Sequence, residues 1–390
     1  MTNIILLGLT SLLNDISSEM VYPLIPFFLA SLGAGPAALG LIEGFAESIA
    51  SLLKVVSGRL SDRAGRRKGF TVAGYLFSAL GKLLLALPGG WPAVLVARSV
   101  DRFGKGIRTA PRDALIAEST SEETRGRAFG LHRGLDTAGA VVGTAIALGI
   151  VLRGGTNYVL VFLLAVIPAA AGMAFLVPVK EVARPPRESV PAPRLEWRSL
   201  PRTLRLFLGV ALVFTLGNSS NTFLLLRAAG AGSTTAGVIV LYLVYNVSFM
   251  IWSYPAGWLS DRLGRKTLLV CGYAVYGIVY CGFAALGKAD AGWLAWLLFI
   301  LYGAYSGLTD GVEKALVADL TPPGVRGTAI GLHATIKGAG LLPASLLAGL
   351  LWDFAGAPAP FILGGVTGLG SAVATAIFLR RGTSARSTAL

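Results

Sequence analysis

The sequence predicts an all-α integral membrane protein with twelve transmembrane helices in two pseudo-symmetric six-helix bundles. Three observations lead to this prediction. Of the 390 residues, 54% are hydrophobic and only 14% are charged, whereas a soluble chain carries about a quarter charged residues. The apolar residues fall in runs long enough to cross a bilayer, which takes about 20 residues per helix. Two segments also recur half a chain apart. These features exclude a large soluble domain. In a membrane protein, the basic residues behind the net charge of +14 indicate first how the chain is oriented.

Each span is an apolar run bounded by Gly, Pro or charged residues. The spans are predicted at 4–31, 37–58, 69–88, 91–117, 127–151, 157–178, 203–228, 234–258, 267–287, 291–317, 328–351 and 359–380. The first run has no cleavage-site pattern and leads into the polar residues Asn14, Asp15 and Glu19. We therefore interpret it as span one and not as a removable signal peptide.

The distribution of Lys and Arg predicts the orientation, because cytoplasmic loops hold the excess of these residues. With the N-terminus inside, the inner segments contain 21 of them and the outer loops only three, Arg153, Arg227 and Lys288. Both termini are thus expected in the cytoplasm, and the protein is expected to be a multi-pass protein of the plasma (inner) membrane.

The domain organisation follows from a Pro-, Arg- and Glu-rich stretch in the middle of the chain. Residues 179–202 are expected to form a cytoplasmic linker. The linker would join an N-terminal six-helix bundle, 1–178, to a C-terminal six-helix bundle, 203–381. Residues 382–390 would form a cytoplasmic tail.

The two halves are repeats of one another. One segment recurs at an offset of 199 residues, as Gly58-Arg-Leu-Ser-Asp62-Arg63-Ala-Gly65-Arg66-Arg67 and Gly257-Trp-Leu-Ser-Asp261-Arg262-Leu-Gly264-Arg265-Lys266. A second recurs at an offset of 201, as Arg125-Gly-Arg-Ala-Phe-Gly-Leu-His132 and Arg326-Gly-Thr-Ala-Ile-Gly-Leu-His333. Two halves of the same topology are typical of secondary transporters.

The repeated loop after spans two and eight resembles motif A of the major facilitator superfamily, and the resemblance covers the whole chain. It implies a loop that helps to hold the outward-open state. The implied gating residues are Gly58, Asp62, Arg63, Gly65, Arg66, Gly257, Asp261, Arg262, Gly264 and Arg265, with Glu118 as the acid that completes a charge relay.

Two further segments resemble the proton-coupled drug and metabolite antiporters of that superfamily. Arg102-Phe-Gly-Lys105-Gly106-Ile-Arg108 is similar to motif B, with Lys105 in place of Gln and Arg108 in place of Gly. Gly139-Ala-Val-Val-Gly143 is similar to motif C, but Thr144 follows where Pro is usual.

Charged residues within spans are candidates for function, because an unpaired charge is costly inside a membrane. Asp15 and Glu19 lie one helical turn apart on span one, where two carboxylates cannot both ionise cheaply. We assign proton coupling to this pair, with Glu19 the first candidate and Arg102 facing it. Glu43 and Glu47 on span two are the competing pair. The alternative is that these charges pair permanently and only hold the helices together.

The remaining polar groups within the spans are candidates for the lining of a substrate cavity. In the family that the chain resembles, spans one, four, seven and ten line that cavity. The candidates are Arg98, Lys105, Arg108, Arg133, Asp136, Asn218, Asn221, Tyr245, Tyr305 and Asp310.

The sequence thus predicts a secondary active transporter that works by alternating access, with proton-coupled efflux of a drug-like compound or metabolite as the first interpretation. An anionic metabolite or metal chelate bound by the span-four Arg/Lys cluster is the alternative substrate, and a transport-inactive membrane sensor is the alternative of another class. Its expected partners are a small-molecule substrate, protons and the lipid bilayer. We expect a monomer with no cofactor, no metal site, no catalytic residues and no nucleic-acid partner. No phosphate-binding Gly-x-x-x-x-Gly-Lys-Ser/Thr motif is present, so the energy source is expected to be a gradient.

Overall fold

Helices account for all the regular structure in the part of the chain that this computed structural model describes, which is residues 2–87, 89–121, 124–155, 157–181, 200–287, 292–321 and 326–378. In chain order they are α1 Thr2–Val21, a 3-10 turn Tyr22–Leu24, α2 Ile25–Ser31, α3 Pro36–Ala64, α4 Lys68–Leu85, α5 Trp91–Glu118, α6 Arg125–Gly154, α7 Tyr158–Ala174, α8 Arg202–Gly217, α9 Thr222–Gly230, α10 Thr235–Leu263, α11 Arg265–Ala285, α12 Trp293–Asp319, α13 Arg326–Ala355 and α14 Ala359–Phe378. The predicted spans correspond to these helices to within a few residues at most ends.

Two predicted spans are broken into two helices. In the first span, Pro23 and Pro26 cannot donate backbone hydrogen bonds, and a 3-10 turn separates α1 from α2. In the seventh, α8 ends at Gly217 and α9 begins at Thr222. The intervening Asn and Ser side chains compete with the backbone for hydrogen bonds and so favour a break. The helix count therefore exceeds the twelve that the sequence predicts.

The helices group into two compact units. The first unit comprises Met1–Val190 and Thr234–Leu243, and the second comprises Pro191–Ser233 and Val244–Leu390. Most of the predicted linker (182–199) and the whole predicted tail (382–390) lie outside the described residues. The predicted domain boundaries therefore stay a prediction.

Large apolar side chains are exposed on the helices, and polar side chains are buried inside them. Phe354 is 87% exposed and Ile167 is 63% exposed, whereas Glu43 is fully buried. This is the reverse of a soluble protein, and it suits helices surrounded by lipid. Seven helical segments are long and apolar enough to cross a membrane: Thr2–Ser31, Arg127–Arg153, Arg202–Gly230, Thr235–Ser253, Arg265–Ala285, Thr328–Ala355 and Ala359–Phe378. The long helices α3 and α5 are not among them, and they contain many of the chain's buried charges.

The motif that the sequence analysis placed in loops lies mostly within helices. α3 continues to Ala64, so Gly58, Asp62 and Arg63 are helical. In the second copy, α10 continues to Leu263. The chain turns only at Gly65 and Gly264, whose φ angles are 62° and 85°. Glycine adopts such left-handed angles without strain.

The helices α1 and α6 pack closely through two glycines. A Cβ atom on Gly139 would lie 2.4 Å from the carbonyl oxygen of Leu12, and one on Gly143 would lie 2.3 Å from that of Ile16. A methyl group does not fit at these distances. The Gly-x-x-x-Gly pair therefore sets how near the two backbones approach.

We expect Gly143→Ala to destabilise the protein by about 1–3 kcal/mol, because the added methyl group forces α1 and α6 apart. Thermal unfolding of the purified protein in detergent measures this. Gly149→Ala is the matched control, since this glycine of the same helix has no atom within 4 Å of the added Cβ. Equal stability of the two variants would contradict the packing argument.

Candidate functional site

The first unit contains a buried network of ion pairs between α3, α4 and α5. Arg98 on α5 donates to both carboxylate oxygens of Glu43 on α3, at 2.8 and 3.0 Å. Asp101 lies 3.4 Å from Arg98 and 3.5 Å from the ammonium of Lys82 on α4. Lys82 is 1% exposed and Arg98 is 2% exposed. These four groups neutralise one another, so Arg98 and Glu43 are engaged within the bundle.

Two other basic residues of α5 are also engaged. Arg102 forms an ion pair with Glu47, with Nε 3.1 Å from Oε1. Arg108 donates to Ser78 Oγ at 2.6 Å, and its guanidinium lies 4.4 Å from the centre of the Tyr75 ring. Arg102 thus forms its ion pair with the span-two acid Glu47, and it also interacts electrostatically with Glu19, the first candidate on span one.

Lys105 differs from its neighbours on α5. Its side chain is exposed, and no acidic group among the described residues lies within ion-pair distance of it. It is nevertheless close enough to Asp15, Glu19 and Glu47 to interact electrostatically with each of them. Of the basic residues that the sequence analysis assigned to the cavity, Lys105 is the one on α5 that is open to an incoming anion.

The carboxyl groups of Asp15 on α1 and Asp136 on α6 lie close enough to interact directly with each other. Both residues are half-buried. Arg133, which is largely exposed, lies 3.5 Å from Asp136. The structure therefore joins a residue predicted for proton coupling to one predicted for the cavity.

A polar cluster lies close to this acid pair. Ser11 Oγ is 2.9 Å from the Tyr75 hydroxyl and 2.9 Å from His132 Nε2, and it accepts a hydrogen bond from Arg112 at 3.1 Å. Arg112 also interacts electrostatically with Asp136. The side chains of α1, α4, α5 and α6 thus meet around one serine hydroxyl.

Glu19 is separate from Asp15 in its contacts. It accepts a hydrogen bond of 2.9 Å from the hydroxyl of Tyr242, which belongs to the segment Thr234–Leu243 of the first unit. The Tyr242 ring is 5.5 Å from that of Tyr22. The two predicted coupling acids therefore have different partners.

In the second unit, the break between α8 and α9 meets an aromatic surface. Asn221 accepts from the Tyr302 hydroxyl at 2.7 Å and donates to the Tyr245 hydroxyl at 3.4 Å. The rings of Tyr245 and Tyr302 stack with centroids 5.3 Å apart. Asn218 ends α8.

Of the other two predicted cavity residues of this unit, Tyr305 contacts that arrangement, with its ring centroid 5.5 Å from that of Tyr302, and Asp310 has a different partner. Tyr305 is 5% exposed and packs on Tyr276, with ring centroids 4.9 Å apart. Asp310 lies 3.3 Å from the ammonium of Lys314 on the surface of α12.

The charge relay of the repeated motif uses a different arginine from the one that the resemblance implies. Arg67 lies 2.8 Å from Asp62 and binds both carboxylate oxygens of Glu118. Arg63 and Arg66 are exposed. The assignment of the relay to Arg63 and Arg66 is therefore corrected to Arg67, which reaches Glu118 because it lies beyond the turn at Gly65.

The second copy is built differently. Arg265 forms an ion pair with Asp319 and donates to the carbonyl of Ala315 at 2.6 Å. Arg262 lies over the Trp258 ring, 3.9 Å from its centre. Gly257 and the side chain of Asp261 lie outside the described residues.

The sequence analysis did not assign functional roles to Lys82, Arg112 or Glu313. Each lies within a predicted span, which is the signal that marks it as a candidate. Their partners could not be derived from spacing along one helix. The described residues contain no group of three or more His, Cys, Asp or Glu side chains suited to a metal ion.

Comparison with known proteins identifies the class. The family model described as Major Facilitator Superfamily matches residues 7–340 and also 206–389. An uncharacterised MFS-type transporter of Methanocaldococcus jannaschii is 42% identical over 359 residues, covering 90% of this chain and 88% of the relative. The gentisate transporter of Corynebacterium glutamicum is 25% identical over 362 residues, covering 88% and 80%. A solved structure of a POT family transporter in complex with 5-aminolevulinic acid aligns with a TM-score of 0.82 at 12% identity, covering 97% of this chain and 96% of that chain.

These matches define an integral, multi-pass transporter and not an enzyme. The chain belongs to the major facilitator superfamily. The expectation from the repeated motif is confirmed at this level.

We expect Arg67→Gln to lower transport and to destabilise the protein by about 1–3 kcal/mol, because Glu118 is nearly buried and loses its partner. Transport in liposomes and thermal unfolding in detergent measure the two effects. The exposed neighbour offers a matched control, Arg66→Gln, which should change neither. Loss of function in Arg66→Gln with normal Arg67→Gln would restore the original assignment.

Proposed function

We propose that this transporter couples the movement of a small organic solute to protons by alternating access. The contact between Asp15 and Asp136 carries the proposal. Like charges repel, so two carboxyl groups placed next to each other do not both ionise at little cost. Such a pair titrates as a unit and can take up and release a proton.

The surroundings of the acid pair favour exchange of the proton over permanent storage. Arg112 and Arg133 act on Asp136, and Arg108 and Lys105 act on Asp15. Cations near the pair stabilise its fully ionised form, while burial stabilises the protonated form. A change in how much water reaches the half-buried pair therefore shifts the balance. This favours Asp15 over Glu19, the first candidate of the sequence analysis, as the coupling acid.

We infer that the substrate carries an anionic group that binds Lys105. The arginines of α5 are engaged by Glu43, Glu47 and Ser78, whereas Lys105 is exposed and has no ion-pair partner among the described residues. A lysine within a predicted span that has no ion-pair partner requires contact with water, and such a residue is by default a candidate for function. The similarity to a gentisate transporter, whose named substrate is an organic anion, supports the same class.

The charge of the substrate decides the direction of coupling. An anion bound at Lys105 weakens the effect of that cation on the nearby acids and so favours proton binding, which is the relation needed for co-transport. A cationic substrate competes with the proton, which is the relation needed for antiport. Proton-driven efflux of a drug-like compound is the second candidate, because the segments at Arg102 and Gly139 resemble antiporter motifs.

The proposal includes a topology. We propose that α1 and α2 form one span and that α8 and α9 form another, so that the chain crosses the membrane twelve times in two six-span bundles. Both termini are then cytoplasmic, as the excess of Lys and Arg in the inner segments supports. We propose that the protein is a monomer in the plasma (inner) membrane.

Asp15→Asn and Asp136→Asn should each abolish accumulation driven by a pH gradient while leaving exchange of substrate measurable. Neutralising the pair removes the exchangeable proton but not Lys105. Uptake of labelled gentisate into liposomes, with and without a pH gradient, measures this. Glu47→Gln, which removes the partner of Arg102, is the comparison. Retained gradient-driven transport in both aspartate variants, with loss in Glu47→Gln, would assign the proton to span two.

Lys105→Gln should weaken binding of a carboxylate at least tenfold, because it removes the one basic group of α5 that is open to an anion. Thermal-shift titration of the purified protein with gentisate measures the affinity, and wild-type binding should tighten as the pH falls from 8 to 6. Methyl gentisate, which lacks the charge, should bind both proteins equally. The exposed Lys314→Gln variant is the control. Tighter binding at high pH, or of cationic compounds, would favour efflux by antiport.

A further inference from the structure

The second unit contains one buried carboxylate with several ionisable neighbours. Glu313 on α12 is 2% exposed. It accepts a hydrogen bond of 2.9 Å from the Tyr273 hydroxyl on α11 and one of 2.5 Å from the Lys337 ammonium on α13. None of these residues takes part in the coupling proposed for the first unit. The cluster therefore needs an explanation of its own.

His333 on α13 is placed beside this carboxylate without bonding to it. Its Nε2 lies 3.5 Å from Glu313 Oε2 and has no hydrogen-bond partner. The residue is 2% exposed, and Phe207 on α8 stacks on its ring at a centroid distance of 6.0 Å. A buried ring nitrogen without a partner is costly. The neutral nitrogen has a lone pair that is suited to accept an O–H group.

Lys337 can leave Glu313, because its side chain is one-third exposed. Asp310, which is paired with Lys314, also interacts electrostatically with Lys337 and is the second acid within the range of the departing ammonium. Among the described residues, the ionisable groups that the structure ties to Glu313 or to its neighbours His333 and Lys337 are Tyr273 on α11, Tyr305, Asp310 and Lys314 on α12, and His333 and Lys337 themselves on α13.

The residues around Glu313 can be compared with the equivalent residues of the first half of the repeat. At the offset of 201, Glu313 corresponds to Arg112, His333 to His132 and Lys337 to Asp136. The acid and the base have exchanged places between the halves. His132 also has a partner, since its Nε2 lies 2.9 Å from Ser11 Oγ. Arg112 is always charged. At this position of the repeat, only the second half, with Glu313, therefore has a group that a proton can neutralise.

We propose that Glu313 is a second proton-binding site, at which a proton and the Lys337 ammonium compete for one carboxylate. With Lys337 bound, Glu313 is ionised and paired. When Lys337 moves toward Asp310, a proton from water binds Glu313 Oε2, and the new O–H group donates to His333 Nε2. Tyr273 continues to donate to Oε1 throughout. The charge of the buried site is neutralised in both states, which avoids the cost of an isolated buried carboxylate.

This proposal is independent of the coupling at Asp15 and Asp136. It assigns to the second unit a proton whose binding controls whether Lys337 is held on Glu313 or released. Infrared difference spectroscopy on the purified full chain tests it, because a protonated carboxyl gives a C=O band that an ionised carboxylate lacks.

Acidification of the wild type should produce a C=O band that Glu313→Gln does not show. In Lys337→Gln the competing cation is gone, so the midpoint of this band should move to higher pH by at least about one unit, a tenfold tighter proton binding. In His333→Leu the acceptor is gone, and the midpoint should move to lower pH. Lys180→Gln removes an exposed lysine of the first unit whose printed contacts are made by its backbone, and it should leave the midpoint unchanged.

An unchanged midpoint in Lys337→Gln would overturn the proposal and leave Glu313 as a static ion pair. The same conclusion follows if Glu313→Gln loses no band. If Glu313→Gln cannot be purified, the comparison of Lys337→Gln with Lys180→Gln decides the question without it. Loss of gradient-driven transport in Asp15→Asn leaves this outcome untouched, so the two proposals fail separately.

Discussion

The bidentate ion pair between Arg98 and Glu43 is the interaction on which the rest of the first unit depends. It joins α5 to α3 through two short hydrogen bonds in a fully buried position, and the contact of Asp101 with Lys82 extends the network to α4. Removing one partner of such a pair leaves an uncompensated buried charge, which costs about 3–5 kcal/mol. This network of ion pairs therefore holds the three helices together. It also determines which charged residues of α5 remain exposed.

The network of ion pairs separates the charges of the first unit into two groups. Those of the network around Arg98 and Glu43 are buried, and each has a partner of opposite charge. Asp15, Asp136 and Lys105 are half-buried or exposed and are not part of that network. A transporter needs both kinds of group, because a site that changes its charge during a cycle requires neighbours that do not. The alternative of permanent pairing therefore describes one set of charges, while the proposed coupling describes the other.

The sequence predicted the helices well and their partners poorly, for a physical reason. Apolar runs and the bounding Gly, Pro and charged residues determine where a helix begins and ends, and spans such as 91–117 agree with α5 to one residue at its C-terminal end. Which charges meet depends on how neighbouring helices are rotated about their axes, and one sequence does not contain that information. The contact of Lys82 with Asp101 therefore could not be derived from the sequence, and Arg67 was overlooked as the partner of Glu118.

Equivalent positions of the two halves carry side chains of different charge. His132 and His333 occupy the same place in the repeat, at the offset of 201, so the sequence pattern recurs in the two halves. The opposite charges that accompany them are reversed: Arg112 on α5 interacts electrostatically with Asp136 on α6, whereas Glu313 on α12 forms an ion pair with Lys337 on α13. Reversal leaves the electrostatic attraction between neighbouring helices intact, since it depends only on the product of the charges. It changes which helix holds the group that a proton can neutralise, and so two halves of similar fold can bind protons on different helices.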